Sequence, residues 1–208
     1  MVNKVLVCDD QPMMQELIHM YMEEAEDFSI VAAIVNAALA ELTCMQIRVD
    51  LVLMDVVTQN DESGFEATKR LKKNFPDIKV LIITSMLDFD YIQRAKKVGA
   101  DGIWFKEVSQ QTLLDVMRKI MQGASVFPDK SPELRIGLCS SYQFTPAELR
   151  VLRYVVEGFT YKQIADKLRI SDQTVKDHVR SMLQKTGFTS KTKLAAEVAA
   201  KRFVINGF

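Results

Sequence analysis

In the first half of the chain, short apolar runs lead directly into polar residues. VLVC runs into Asp9 and Asp10, LVLM into Asp55, VLII into Thr84 and Ser85, and GIWF into Lys106. Brought together, such residues suit phosphoryl chemistry. Three carboxylates in one pocket repel one another, and each ionised form is disfavoured unless a cation sits among them. All-oxygen ligation with several water-filled positions suits Mg²⁺, which binds through one or two carboxylates plus phosphate oxygens. Mg²⁺ and the Lys106 ammonium would neutralise charge on a transferring phosphoryl group while one carboxylate attacks phosphorus and becomes an acyl phosphate. Asp55, at the end of the central run, is the expected nucleophile. Singly, each residue reads as a turn or helix cap; their recurrence at successive run ends carries the argument.

The elements that must position them follow from the patterning. KVLVCD (4–9), FSIVAAIV (28–35), LVLMD (51–55), KVLIITS (79–85) and GIWFK (102–106) read as buried strands. Between them MMQELIHMYMEEA, NAALAELTCM, FEATKRLKKNF, FDYIQRAKKVG and SQQTLLDVMRKIM read as helices, with Ser109 an expected cap of the last. Near-continuous apolar strands alternating with helices predict a five-stranded, doubly wound parallel sheet covered on both faces. Ligands of such sheets bind beyond the carboxyl ends of the strands, where the strand order switches. The polar residues fall at those ends.

The chain has 208 residues, 48% hydrophobic and 26% charged, which suits two modest globular domains. No apolar run approaches the roughly 20 residues of a membrane span, and the start lacks the basic segment of a secretory signal. A cytoplasmic protein without membrane attachment is expected. Cys8, Cys44 and Cys139 are odd in number and widely spaced, so they read as small apolar residues and not as a disulfide framework or a zinc site. The net charge of zero hides an asymmetry. Residues 1–121 hold 19 acidic and 13 basic residues, whereas 143–208 hold 6 and 12. An acidic front and a basic rear suit a regulator with a separate nucleic-acid-binding module.

Residues 122–142, with two prolines, two glycines and four serines, read as a linker of moderate stiffness, with at most a short helix around SPELRIGL. Beyond it, FTPAELRVLRYVVEG begins with Thr145 as N-cap, Pro146 at the first helical position and Glu148 at the capping-box position. Its apolar face is Leu149, Leu152, Val155 and Val156. Thr160 caps YKQIADKL and Ser171 caps SDQTVKDHVRSMLQKTG, two helices joined by a tight turn: a helix-turn-helix. In the second, Val175, Val179, Met182 and Leu183 face inward, leaving Thr174, Lys176, Asp177, His178, Arg180 and Ser181 outside. Lys176 and Arg180 suit guanine contacts, and Asp177 either accepts from cytosine or repels phosphate. Lys162, Lys167, Arg169 and Lys185 are expected on the phosphate backbone.

Residues 3–122 resemble the receiver domain of bacterial two-component response regulators, a flavodoxin-like fold. That resemblance implies Asp55 as phospho-acceptor, Asp10 as a direct Mg²⁺ ligand, Asp9 as a ligand through water, and the Val57 carbonyl as a third metal contact. Lys106 would contact the phosphoryl group, and Thr84, with Ser85 beside it, would move toward it. The chain departs from the pattern in the loop VVTQNDESG, one residue longer than usual, and at Glu107, Ile103 and Gln11. Ile103 stands where the switch aromatic is common; Trp104 beside it is either its substitute or a core or dimer-face residue. TPAELRVL, EGFTYKQIA and ISDQTVKDHV resemble the LuxR/NarL-type DNA-binding domain over 143–205, with SKTKLAAEVAAKRFV as a fourth, dimer-forming helix. The resemblance implies a receiver at 1–121, a linker at 122–142 and a DNA-binding domain at 143–208. It implies a promoter-binding transcription regulator, phosphorylated by a sensor histidine kinase, homodimeric when phosphorylated, with no catalysis beyond Mg-dependent self-phosphorylation. Two other readings stand beside it: a constitutive DNA-binding regulator with a degenerate switch, and a metal-dependent phosphohydrolase.

Overall fold

The apolar runs of the front half become strands because their side chains are buried on both faces of one sheet. The computed structural model describes residues 2–23, 25–85, 90–106, 112–130 and 133–201, which divide into two compact units, 2–130 and 133–201. The first contains β1 (Asn3–Cys8), α1 (Pro12–Glu23), β2 (Phe28–Ile34), α2 (Ala40–Gln46), β3 (Leu51–Asp55), β4 (Val57–Thr58), β5 (Glu62–Ser63), α3 (Gly64–Asn74), β6 (Lys79–Thr84), α4 (Tyr91–Lys97), β7 (Gly102–Phe105) and α5 (Leu113–Met121).

The main sheet is parallel, in the order β2-β1-β3-β6-β7. From β1 the chain runs outward to β2, then crosses back to β3 on the other side. The switch in strand order therefore lies between β1 and β3, the strands that lead into Asp9 and Asp55. Alternate residues Val5, Val7, Leu51, Leu53, Leu81 and Ile83 pack with Trp104 against Ile18 and Met22 of α1 and Val116, Met117 and Ile120 of α5. On the opposite face α3 and α4 lie against β3, β6 and β7. Every residue of β3 is buried, as the central strand of such a sheet requires.

Caps mark the helix starts. Ser63 caps α3 through the Glu66 N–H, and Thr112 caps α5 through the Asp115 N–H. Thr112 is thus the cap where Ser109 was expected, because α5 begins only at Leu113; Ser109 and Glu107 lie outside the described residues.

The stretch expected as linker carries structure within both units. Val126 accepts from the Ile103 N–H at 3.0 Å and donates to the Asp101 carbonyl at 2.9 Å, adding a rung beside β7. Gly102 permits this, since a Cβ there would lie 2.7 Å from the Val126 oxygen. In the second unit β8 (Arg135–Ile136) and β9 (Cys139–Ser140) form an antiparallel hairpin in place of the short helix around SPELRIGL. Then follow α6 (Pro146–Val156), α7 (Tyr161–Leu168), α8 (Asp172–Thr186) and α9 (Lys191–Ala200). Leu149, Leu152, Val155, Ile164, Val175, Val179, Met182, Leu194 and Val198 form their common core. Val151 is buried where Val156 was expected, and Val156 and Leu183 are half-buried. Thr186 is buried too, its hydroxyl donating to the Met182 carbonyl at 2.7 Å.

Candidate functional site

β1 and β3 are neighbours, so their ends deliver Asp9 and Asp55 to one crevice. Both are buried, whereas Asp10 is exposed at the rim. One oxygen from each of the three carboxylates lies within 4.8 Å of the others. Lys106, immediately after β7 and 3% exposed, reaches across the strand ends. Its Nζ lies 2.6 Å from Asp9 Oδ2 and 2.9 Å from Asp55 Oδ2. The remaining oxygens take backbone donors: Asp9 Oδ1 the Gln11 N–H at 2.9 Å, and Asp55 Oδ1 the Val56 N–H at 2.7 Å.

Burial pushes the Asp55 carboxyl up to about 6, against the pull of Lys106 and with the push of Asp9. It is therefore mostly ionised at neutral pH yet poorly compensated. With all three carboxylates ionised, a single ammonium leaves an excess of negative charge, and an all-oxygen donor set in that condition fits a hard divalent cation. Burial, followed by Asp55, Asp9 and Asp10, also raises the Cys8 thiol, which stays protonated.

Thr84 is the buried last residue of β6, paired with Phe105, and its carbonyl accepts from the Lys106 N–H at 2.8 Å. Ser85 follows it, half-buried. Val57 opens β4, two residues beyond Asp55. Ile103 is buried on β7, and Trp104 packs into the core formed with α1 and α5.

The long loop after Asp55 is folded as the small β4–β5 ladder. Asn60 takes the left-handed conformation at its turn, φ 63°, which asparagine tolerates well. Thr58 is buried: its hydroxyl accepts from the Ala37 N–H at 2.8 Å and donates to the Glu62 carbonyl at 3.2 Å. The Gln59 N–H donates to the Val35 carbonyl at 2.9 Å. The loop is thus pinned beside the end of β2. Nothing in the local pattern marks Thr58 for this role, since a lone threonine in a polar stretch resembles any loop residue. Gln15 was also missed; its amide donates to the Asp9 carbonyl at 2.6 Å.

The second candidate site is the outer surface of α8. Thr160 and Gln163 form a capping box at α7, Arg169 closes that helix in the left-handed conformation at φ 54°, and Ser171 caps α8. Lys176, Asp177 and Arg180 are exposed, and Thr174 and His178 half-buried. Asp177 accepts from Arg180 at 3.2 Å and from the Gln173 amide at 3.0 Å, so this acid tethers the guanidinium along the helix. Lys176 pairs with Asp172. Lys162, Lys167 and Arg169 are exposed, with the Lys167 ammonium 4.6 Å from the Phe159 ring centroid.

Ser181 and Lys185 of α8 find partners within the domain where the outer surface and the phosphate backbone were expected. Ser181 is half-buried, and Lys185 has its ammonium taken by Glu148 at 2.7 and 2.8 Å and by the Gln143 carbonyl at 2.9 Å. Both face α6, because positions 181 and 185, four apart, share the side of α8 turned toward it. Burial opposes ionisation of Glu148, but Lys185, Ser181 and the Thr145 N–H outweigh it and hold the carboxyl below its ordinary value of 4.5. A lowered folded value adds stability that is complete above that ordinary value and lost as pH falls through the lowered one. The protection of α8 amides, corrected for the intrinsic exchange rate, should therefore fall as pH drops below about 4.5, and Glu148→Gln should flatten that dependence.

Each half matches a known family. Residues 5–118 match the response regulator receiver domain, and residues 142–198 the bacterial regulatory proteins of the luxR family. Response regulator protein VraR of Staphylococcus aureus is 30% identical over 201 residues, covering 93% of this chain and 94% of that protein. A structure of the two-component response regulator RcsB in complex with DNA superposes with a TM-score of 0.62 at 19% identity, over 96% of this chain and 99% of that one. RcsB from Salmonella enterica serovar Typhimurium, bound to promoter rprA with the phosphomimetic BeF3−, gives 0.59 at 20% identity, over 95% and 98%. At these identities the structures speak for the shared fold.

Proposed function

Because the chain belongs to the response regulators that join a receiver domain to a LuxR-family DNA-binding domain, we propose that phosphorylation of Asp55 sets its affinity for promoter DNA. The observation that carries this is the Lys106 ammonium held between Asp9 and Asp55 in a pocket with a third carboxylate. It is a charge arrangement made to accept a phosphoryl group and a cation together.

The donor is a phosphohistidine on a sensor kinase. An oxygen of the ionised Asp55 attacks phosphorus; the P–O bond forms as the P–N bond breaks, and the imidazole leaves with the bonding pair and takes a proton from solvent. Lys106 holds a phosphoryl oxygen, and the Thr84 hydroxyl, with Ser85 beside it, turns toward another. Asp9, Asp10, Asp55 and the Val57 carbonyl would hold Mg²⁺, which when bound would neutralise charge on the phosphoryl group. The phosphorylated receiver favours a homodimer that places two α8 helices on two half-sites. No described helix is long and apolar enough to cross a membrane, and we assign the protein to the cytoplasm, beside the chromosome it reads. Ile103, buried where a switch aromatic is common, favours a second reading in which the receiver no longer controls DNA binding.

Incubation with Mg²⁺ and a small acyl phosphate tests the chemistry. One phosphoryl group per chain, mapped to Asp55 and lost on chelation of the metal, is expected; uptake elsewhere, or none, contradicts it. On DNA, Thr174, Lys176, Asp177, His178 and Arg180 meet the major groove, and Lys162, Lys167 and Arg169 the backbone. Arg180→Ala should weaken binding by about 1–3 kcal/mol and relax discrimination at one base position. Lys162→Ala should weaken all sequences alike and reduce the salt slope by about 1. Binding isotherms at several salt concentrations separate the two.

A further inference from the structure

Glu148 is 3% exposed, in the first turn of α6, and its carboxylate is saturated. Oε1 accepts from the Ser181 hydroxyl at 2.7 Å and Lys185 at 2.8 Å; Oε2 accepts from the Thr145 N–H and from Lys185, each at 2.7 Å. Lys185 also donates to the Gln143 carbonyl at 2.9 Å. Two of these donors stand on α8, one turn apart; the other partners belong to the start of α6 and the turn before it. A single buried anion fastens the helix that carries Lys176 and Arg180 to the body of its domain.

Packing alone does not require this. An ion pair in such a place is desolvated, and well-packed apolar residues stabilise a domain as well or better. What directional hydrogen bonds add is register. Val175, Val179 and Met182 decide which side of α8 faces inward, but apolar contacts resist a small slide or tilt only weakly. Ser181 directly follows Arg180, so the bond at position 181 fixes the backbone from which the guanidinium departs. Base-edge hydrogen bonds need placement within about 0.5 Å, whereas phosphate neutralisation tolerates far more displacement.

We infer that Glu148, through Ser181 and Lys185, is a positioning residue that confers sequence discrimination on α8. Lys185, neutralised inside the domain, adds little to the electrostatic attraction for DNA. The inference rests on the assignment of α8 as the recognition helix. It predicts that loosening the lock lowers affinity for a specific duplex and spares affinity for random DNA.

The test uses the full chain, a duplex selected by the wild-type protein from a randomised library, and a random-sequence duplex, each at the same series of salt concentrations, with affinities compared at one of them. Glu148→Gln should lower the ratio of specific to random affinity at least tenfold, and Ser181→Ala, the milder change, about threefold to tenfold. Random-duplex affinity and salt slope should stay within twofold, and Ser181→Thr, which keeps the hydroxyl, should restore the ratio. Circular dichroism confirms folding; if Glu148→Gln does not fold, the two Ser181 variants decide. An unchanged ratio in folded variants, or an equal fall on both duplexes, overturns the positioning role and leaves DNA binding standing. If the wild-type protein selects no sequence, the assignment of α8 falls, and the inference with it.

Discussion

Asp55→Asn should abolish the whole phosphoryl-dependent gain in promoter affinity while leaving the basal affinity in place. An amide forms no acyl phosphate, so every effect that depends on phosphorylation of Asp55 is lost, while Asp9 keeps its bonds to Lys106 and the Gln11 N–H. Coupling between two sites of one protein is commonly worth about 1–3 kcal/mol, or roughly 5- to 150-fold in affinity. The wild-type protein should therefore bind its duplex at least about fivefold more tightly with Mg²⁺ and a phosphoryl donor, and Asp55→Asn not at all more tightly. Loss of fold does not explain such a result. A carboxyl raised to about 6 favours the fold fully below its ordinary value of 3.8, and that contribution disappears as pH rises through about 6. At neutral pH the amide removes an unfavourable buried charge, and Lys106 keeps Asp9 as partner. Anisotropy of a labelled duplex measures the effect; a phosphoryl response retained by the variant would place the acceptor elsewhere.

Gly64→Ala should disable the same pocket through the backbone. Gly64 opens α3 and donates its N–H to the Val56 carbonyl at 2.9 Å, which draws the helix onto the end of β3. A Cβ there would lie 1.8 Å from the Asp55 carbonyl oxygen and 3.0 Å from the Met54 side chain. Neither the central strand nor a capped helix start yields easily, so the substitution must displace one of them. Overpacking of this kind costs about 1–3 kcal/mol, and more where backbone must move; we expect about 3 kcal/mol or more. Denaturant unfolding should show a lower midpoint for the first unit, and phosphoryl uptake at Asp55 should slow in the fraction that still folds. Unchanged stability would mean that α3 begins farther from β3 than described.

Part of this was legible in the sequence. VLVCDD and LVLMD announce two buried strands ending in acids, and the parallel order follows from the alternation of strands and helices; the convergence of Asp9, Asp55 and Lys106 follows from the order. The helix starts at Thr145, Thr160 and Ser171 were legible because capping is local, requiring only a side chain and a backbone N–H three residues on. What escaped depends on contacts remote in sequence. Thr58 bonds Ala37, Lys185 bonds Glu148, and Val126 returns to β7. Lys185 shows the ambiguity best. A lysine near the end of a basic helix reads as a phosphate contact until its partner, 37 residues earlier, is seen.

The coupling of receiver to DNA-binding domain is the central claim, and its most direct test is a reciprocal titration. Trp104, the one tryptophan, lies two residues from Lys106 and is nearly buried, so its fluorescence is suited to report binding in the pocket. We would titrate the full chain and Mg²⁺ with beryllofluoride, a phosphoryl mimic, with and without a saturating selected duplex. We would also measure duplex affinity with and without the mimic. Linkage requires both affinities to change by one factor. The predicted result is that DNA tightens the mimic as much as the mimic tightens DNA, at least about fivefold, and that Asp55→Asn shows neither. If the mimic and the duplex both bind and neither shifts the other, the receiver does not control DNA binding and the protein is a constitutive regulator.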